Sequence, residues 1–229
     1  MADGRLSQER VDEAVTRVLA LKAALGLHKA DRPEPALTNA EVIMARADSK
    51  ATAAAVTARV PTLVKDVANL LPLSPTRHKR VLIFSTGAVQ PFAPVPLPLS
   101  LPDLLRQEGF EITEFTPDMA VNVKDFDLVL YLLAEETLLT RQRIFLNWKG
   151  LTGNVFGAMK RYWHDVPTLM VSLGFPYYLH DAPRVPTYVN AYGSNEDMQA
   201  AVVECLMGRK PFEGKSPVDA FCGSEQGKY

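Results

Sequence analysis

Three stretches of this sequence are almost wholly apolar: RVLIFSTG (residues 80–87), FDLVLYLLA (126–134) and PTLMVSLG (167–174). Each is far too short to cross a bilayer as a helix. Unbroken apolar runs of this length, bounded by Pro and Gly, are instead the pattern of strands buried on both faces. A sheet buried on both faces needs helices above and below it, and the chain supplies helical segments between its strands. A short helix around residues 103–107 stops at Gly109, helical character returns near 154–164, and a final helix spans 195–207, capped by Ser194 or Asn195 and stopped at Gly208. Three further strands, VPTLVKD, FEITEFT and PTYVNAY, complete the alternation. The pattern predicts an α/β three-layer sandwich with a mainly parallel sheet, preceded by one or two N-terminal helices.

The N-terminal part is of a different kind. In RLSQERVDEAVTRVLALKAALGL (5–27), Val11, Ala14, Val15, Val18, Leu21 and Leu25 recur at helical spacing, while Glu9, Arg10, Asp12, Glu13, Arg17 and Lys22 mostly line the other face. Ser7 is the expected N-cap and Gly26 the expected stop. HKADRPEPALTN (28–39) reads as a linker, and an alanine-rich second helix is expected over 40–58, capped by Thr38 or Asn39. The expected organisation is therefore a terminal helix (1–27), a linker with a helix (28–59) and a sandwich domain (60–229). A lone helix gains most of its stability by burying its apolar face, so the first helix needs a partner surface.

Composition narrows the functional classes. A chain of 229 residues, 47% hydrophobic and 22% charged, can bury a sizeable core, and its formal charge of −1 gives no bulk attraction for nucleic acid or an anionic membrane. Neither partner is expected. Cys205 and Cys222 are too few for a disulfide framework or a zinc site. His28, His78, His164 and His180 show no ligand spacing, so no metal is expected. The start of the chain carries no export signal and no apolar run spans a membrane; the expectation is a soluble chain, cytoplasmic if it is complete.

In a parallel sheet, ligands collect beyond the carboxyl ends of the strands. The loops to weigh are STGAVQP, AEETLL, GFPYYLHD and NAYGSNED. None is a phosphate cradle: there is no G-x-G-x-x-G, no G-x-x-x-x-G-K-[ST] and no G-x-S-x-G elbow, so no nucleotide cofactor is expected. Glu135 and Glu136 follow a buried strand; a general-acid role is weighed against two solvated charges ending that strand, and the solvated reading is favoured because neither has a recognisable partner. In GFPYYLHD, Tyr177, Tyr178, His180 and Asp181 are candidate sugar-binding residues, set against the reading that they fill the top of the core.

The order of motifs resembles a family. An alanine-rich helix, TLVKD (62–66), LLPL (70–73) and the strand RVLIF are similar to the start of the C-terminal α/β-sandwich domain of glycoside hydrolase family 3. The run from PTLMVSLGFPYYLHD through VNAYGSNED to PVDAFCG looks like the end of that domain in the β-N-acetylhexosaminidase branch. The stretch RVDEAVTRVLALKAALGL is similar to the last helix of the family's (β/α) barrel. The resemblance implies a hydrolase acting on carbohydrate, with the nucleophilic aspartate, and in this branch the acid/base histidine and its aspartate partner, on the barrel. No segment here matches those motifs, so no catalytic residue is assigned to this chain. In the β-glucosidase branch an acid/base glutamate comes from the second domain, but AEETLLTRQ lacks that branch's pattern and the role does not carry over to Glu135 or Glu136.

The expected function is thus that of a C-terminal domain that braces a barrel absent from this chain and walls the sugar cleft, inactive alone. Two alternatives stand beside it. One is a carbohydrate or small-ligand binding module using the loops after Gly87 and Gly174; the other is an interaction domain docking through its first helix, for which a homodimer is one outcome.

Overall fold

The computed structural model describes residues 6–29, 44, 46–89, 95–135 and 144–229. Contacts divide the chain into two compact units, Met1–Ser49 and Lys50–Tyr229.

The first unit holds α1, Gln8–Ala24. Ser7 caps it, its Oγ accepting from the Arg10 N–H at 3.2 Å, and Gly26 ends it at φ 65°. The helix buries no residue; Val18 is 52% exposed and Leu21 62%. The apolar stripe is therefore present, with Val11 and Ala14 half-buried and Val15, Val18, Leu21 and Leu25 exposed. The next helix, α2, runs Ala47–Thr57, and the expected caps Thr38 and Asn39 lie outside the described residues.

The second unit is built on a sheet. Among the described residues its strands are β1 Thr62–Asp66, β2 Arg80–Val89, β3 Glu111–Glu114, β4 Leu128–Glu135, β5 Thr168–Ser172 and β6 Thr187–Asn190, in the order β1-β6-β5-β4-β2-β3. All neighbours are parallel except the edge strand β1, which runs antiparallel to β6. Every residue of β4 is buried, as its apolar run requires. Alternation then sends Leu128, Leu130 and Leu132 to one core and Val129, Tyr131 and Leu133 to the other. The first core is closed by α3, Leu101–Gln107, and by the last helix, α6, Glu196–Leu206, through Leu101, Leu105, Val202 and Leu206. The second is closed by Leu146, Leu151, Val166 and Tyr178. Sheet and two covering layers make the three-layer α/β sandwich.

The helical character expected near 154–164 takes the form of short pieces. Two five-residue helices, α4 Trp148–Thr152 and α5 Val155–Met159, are followed by a 3-10 turn at Tyr162–His164. Asn147 and Asn154 each cap a new helix, accepting from the N–H of Gly150 and Gly157, and Gly153 between them sits at φ 77°. A Cβ at Gly153 would lie 2.8 Å from Pro117, so the break is held by packing.

Candidate functional site

The parallel strands β2, β4, β5 and β6 end on one edge, and backbone hydrogen bonds carry the β5 loop up from it. Leu173 donates to the Leu133 carbonyl at 2.7 Å and Phe175 to that of Glu135 at 3.0 Å, extending the ladder by two rungs. Two buried side chains fix the loop from below. Ser172 Oγ donates to the Phe175 carbonyl at 2.6 Å, and Asn190 Nδ2 donates to that of Pro176 at 3.2 Å.

A 3-10 turn at Tyr178–His180 then decides which side chains reach the surface. Tyr177 is half-buried beside Phe175, ring centroids 5.3 Å apart; His180 is exposed and Asp181 half-buried. These three line a hollow of about 230 Å³ together with Ile144, Phe175 and Cys222. Tyr178 does not join them. It is 1% exposed and packs edge-on to Phe175 at 5.2 Å inside the second core, so it cannot stack on a ligand. The Asp181 carboxylate is engaged as well, accepting from the Leu146 N–H at 2.8 Å.

Glu135, the last residue of β4, is 7% exposed, which corrects the reading of a solvated charge; parallel neighbours on both sides enclose the end of this central strand. Glu136 lies outside the described residues. At the end of β2, Gly87 takes φ 63° and the chain folds back so that Ala88 and Leu97 exchange backbone hydrogen bonds at 2.8 and 2.9 Å. A Cβ on Gly87 would sit 2.7 Å from Pro96. The fold-back leaves a second hollow of about 480 Å³, lined by Ser100, Asp103, Gly193, Asn195 and Gln199.

Two features of this edge escaped the sequence. Tyr192, just beyond β6, holds φ 59°, a backbone strain that in a non-glycine residue costs about 1–3 kcal/mol, and its hydroxyl is buried with no partner among the described residues. Asn190 Oδ1 is likewise buried and unpaired. Asn190 reaches the Tyr177 loop through Pro176, and the Tyr-Gly step in NAYG was the one local signal for Tyr192. Beneath them burial pushes the Tyr188 phenol well above its ordinary pKa, keeping it neutral.

The Tyr177 hollow offers a phenol, an imidazole and a carboxylate, which can hydrogen-bond hydroxyl groups. Retaining glycoside cleavage needs two catalytic groups flanking one bond, with paired carboxyls about 5 Å apart in the usual case. Among the described residues lining this hollow, Asp181 is the single carboxylate. Among the described residues no group of three His, Cys, Asp or Glu is placed to hold a metal, and no helix is long and apolar enough to cross a membrane.

No family model matches the chain. It is 38% identical to a β-N-acetylglucosaminidase/β-glucosidase of Cellulomonas fimi over 96% of its own length and 41% of that protein's. A solved β-glucoside phosphorylase, BglX, superposes with a TM-score of 0.77 at 35% identity, over 99% of this chain and 41% of that one. A family 3 β-N-acetylglucosaminidase from Paenibacillus shares the fold, with a TM-score of 0.57 at 17% identity over 96% of this chain and 41% of that one. The chain matches the C-terminal α/β-sandwich domain of glycoside hydrolase family 3. It spans 41% of the length of both the Cellulomonas fimi relative and the phosphorylase.

Proposed function

We propose that this domain is the sandwich half of a family 3 glycosidase of β-N-acetylhexosaminidase type. It braces a (β/α) barrel that carries the nucleophile and the acid/base, and the Tyr177 loop walls the sugar cleft. The observation that carries this reading is the 38% identity, along almost the whole chain, to a protein named for N-acetylglucosaminide and glucoside cleavage. The site geometry agrees with a supporting role, because among the described residues the Tyr177 hollow presents hydrogen-bonding groups with Asp181 as its one carboxylate.

A second reading differs in the acceptor. The 35% identity to a β-glucoside phosphorylase favours transfer of the glycosyl group to phosphate in place of water. Both readings predict a chain that is silent alone. Assayed with 4-nitrophenyl N-acetylglucosaminide and glucoside, with and without inorganic phosphate, it should show no turnover above background. Turnover abolished by Glu135→Gln would refute the assignment of catalysis to the barrel. Added to the separately produced remainder of the Cellulomonas fimi relative, the chain should restore cleavage; dependence of that rate on phosphate selects the second reading.

A further inference from the structure

The opposite edge of the sheet carries its own groove. β1 ends at this edge because it runs antiparallel, while β2, β5 and β6 begin here. Asn69, His78, Trp163, His164, Asp165 and Pro186 line a hollow of about 470 Å³. A neighbouring hollow of about 640 Å³ shares Trp163, His164 and Pro186 with it, so the two form one elongated groove.

Its side chains are set before any ligand arrives. The Trp163 indole is held at 73° to the buried Tyr131 ring, centroids 6.4 Å apart, and at 55° to Trp148, 5.9 Å away. His78 is 7% exposed. Its Nδ1 accepts from the Ser74 N–H at 3.4 Å, which puts the imidazole proton on Nε2. No described residue accepts from that Nε2. Burial and the adjacent Arg77 hold the ring below its usual pKa against the opposing pull of Asp127, so the neutral tautomer persists at neutral pH. Asn69, at φ 49°, adds an amide that can both donate and accept, and the exposed Asp165 adds a carboxylate.

An aromatic platform beside closely spaced donors and acceptors suits a ligand with an apolar face and hydroxyls that both give and take hydrogen bonds. A pyranose has both. Arg77 in the first hollow and Arg184 in the second add donors beside the Asp165 acceptor, so the groove offers groups of both kinds to hydroxyls. We infer that this groove around His78 and Trp163 is a saccharide-binding site, separate from the Tyr177 edge, which takes a linear oligosaccharide along its length.

The test is a titration of the full chain with N-acetylglucosamine and with its β-1,4-linked tetramer, followed by tryptophan fluorescence and calorimetry. Saturable fluorescence change is expected, with the tetramer binding about tenfold or more tighter than the monosaccharide because it occupies both hollows. His78→Gln and Asp165→Asn should each weaken binding about two- to tenfold, the range for loss of one hydrogen bond. Asp165 is exposed, so its replacement leaves the core untouched even if the His78 variant unfolds. No saturable response, or equal affinity in Asp165→Asn, would each overturn the assignment.

Discussion

Lys65 offers the sharpest test of how the sandwich is closed. It lies in edge strand β1, where a register shift between Leu63 and Lys65 turns it inward and leaves it 5% exposed. Its Nζ donates to the carbonyls of Pro183 at 3.0 Å, Gly227 at 2.7 Å and Tyr229 at 3.0 Å, and burial lowers its pKa. Two effects compete in Lys65→Met. Removing a buried cation relieves a desolvation cost, but three acceptors lose their donor. An acceptor that stays buried costs about 1–3 kcal/mol, and the Pro183 carbonyl, packed beside the core residues Ala182 and Val185, has little room to find water. The Gly227 and Tyr229 carbonyls can rehydrate only if the segment Glu225–Lys228 lifts away from Phe221. We expect acceptor loss to win, with a net destabilisation of about 2–3 kcal/mol. Urea unfolding measures this, and hydrogen exchange of residues 225–229 should rise in the same variant. A variant as stable as the parent, with unchanged exchange in the tail, would show that desolvation dominates and that the lysine does not latch the tail.

Three further outcomes follow from the same structure. Leu132→Ala, at a fully buried position in the centre of β4, should cost about 2–5 kcal/mol in urea unfolding. His78 has a folded pKa below its ordinary 6.5, so the unfolded chain binds its proton first. Stability should therefore fall as pH drops from about 6.5 toward the folded value, and His78→Gln should flatten that part of the pH profile. Deleting residues 1–27 should leave a cooperatively unfolding sandwich and diminish any dimer seen by sedimentation, because α1 buries none of its own side chains; loss of the cooperative transition would show that α1 belongs to the sandwich core.

What the sequence revealed was what depends on neighbours along the chain. The run at 126–134 declared a strand buried on both faces, and Leu132 and Tyr131 duly reach opposite cores. Ser7, Gly26, Asn195 and Gly208 declared helix ends, because a cap bonds within its own first or last turn. The segment near 154–164 was legible only as helical in character, because the break before α5, held by Pro117 against Gly153, depends on a residue far back in the chain. Tyr177 and Tyr178 differ only by a step in a 3-10 turn, which sends one ring to the hollow and the other to the core, and nothing in the letters PYYLHD ranks them.

Charges were the least legible of all. A glutamate ending FDLVLYLLAE read as a solvated charge, yet it is buried, and so is the lysine of TLVKD. For Lys65 the reason is visible in its partners, which stand 118, 162 and 164 residues away. A buried charge is tolerated only where the fold brings polar groups to it. Its burial is therefore a property of the closed topology, and a local pattern can record it only by accident. The same logic bears on the two grooves. The Tyr177 edge was expected because strand ends are readable from the alternation of strands and helices. The His78 groove was not, because it exists only where an antiparallel β1 brings Asn69 beside the starts of β2, β5 and β6. An edge strand's direction follows from tertiary pairing, so a site assembled by that direction becomes visible only once the sheet is closed.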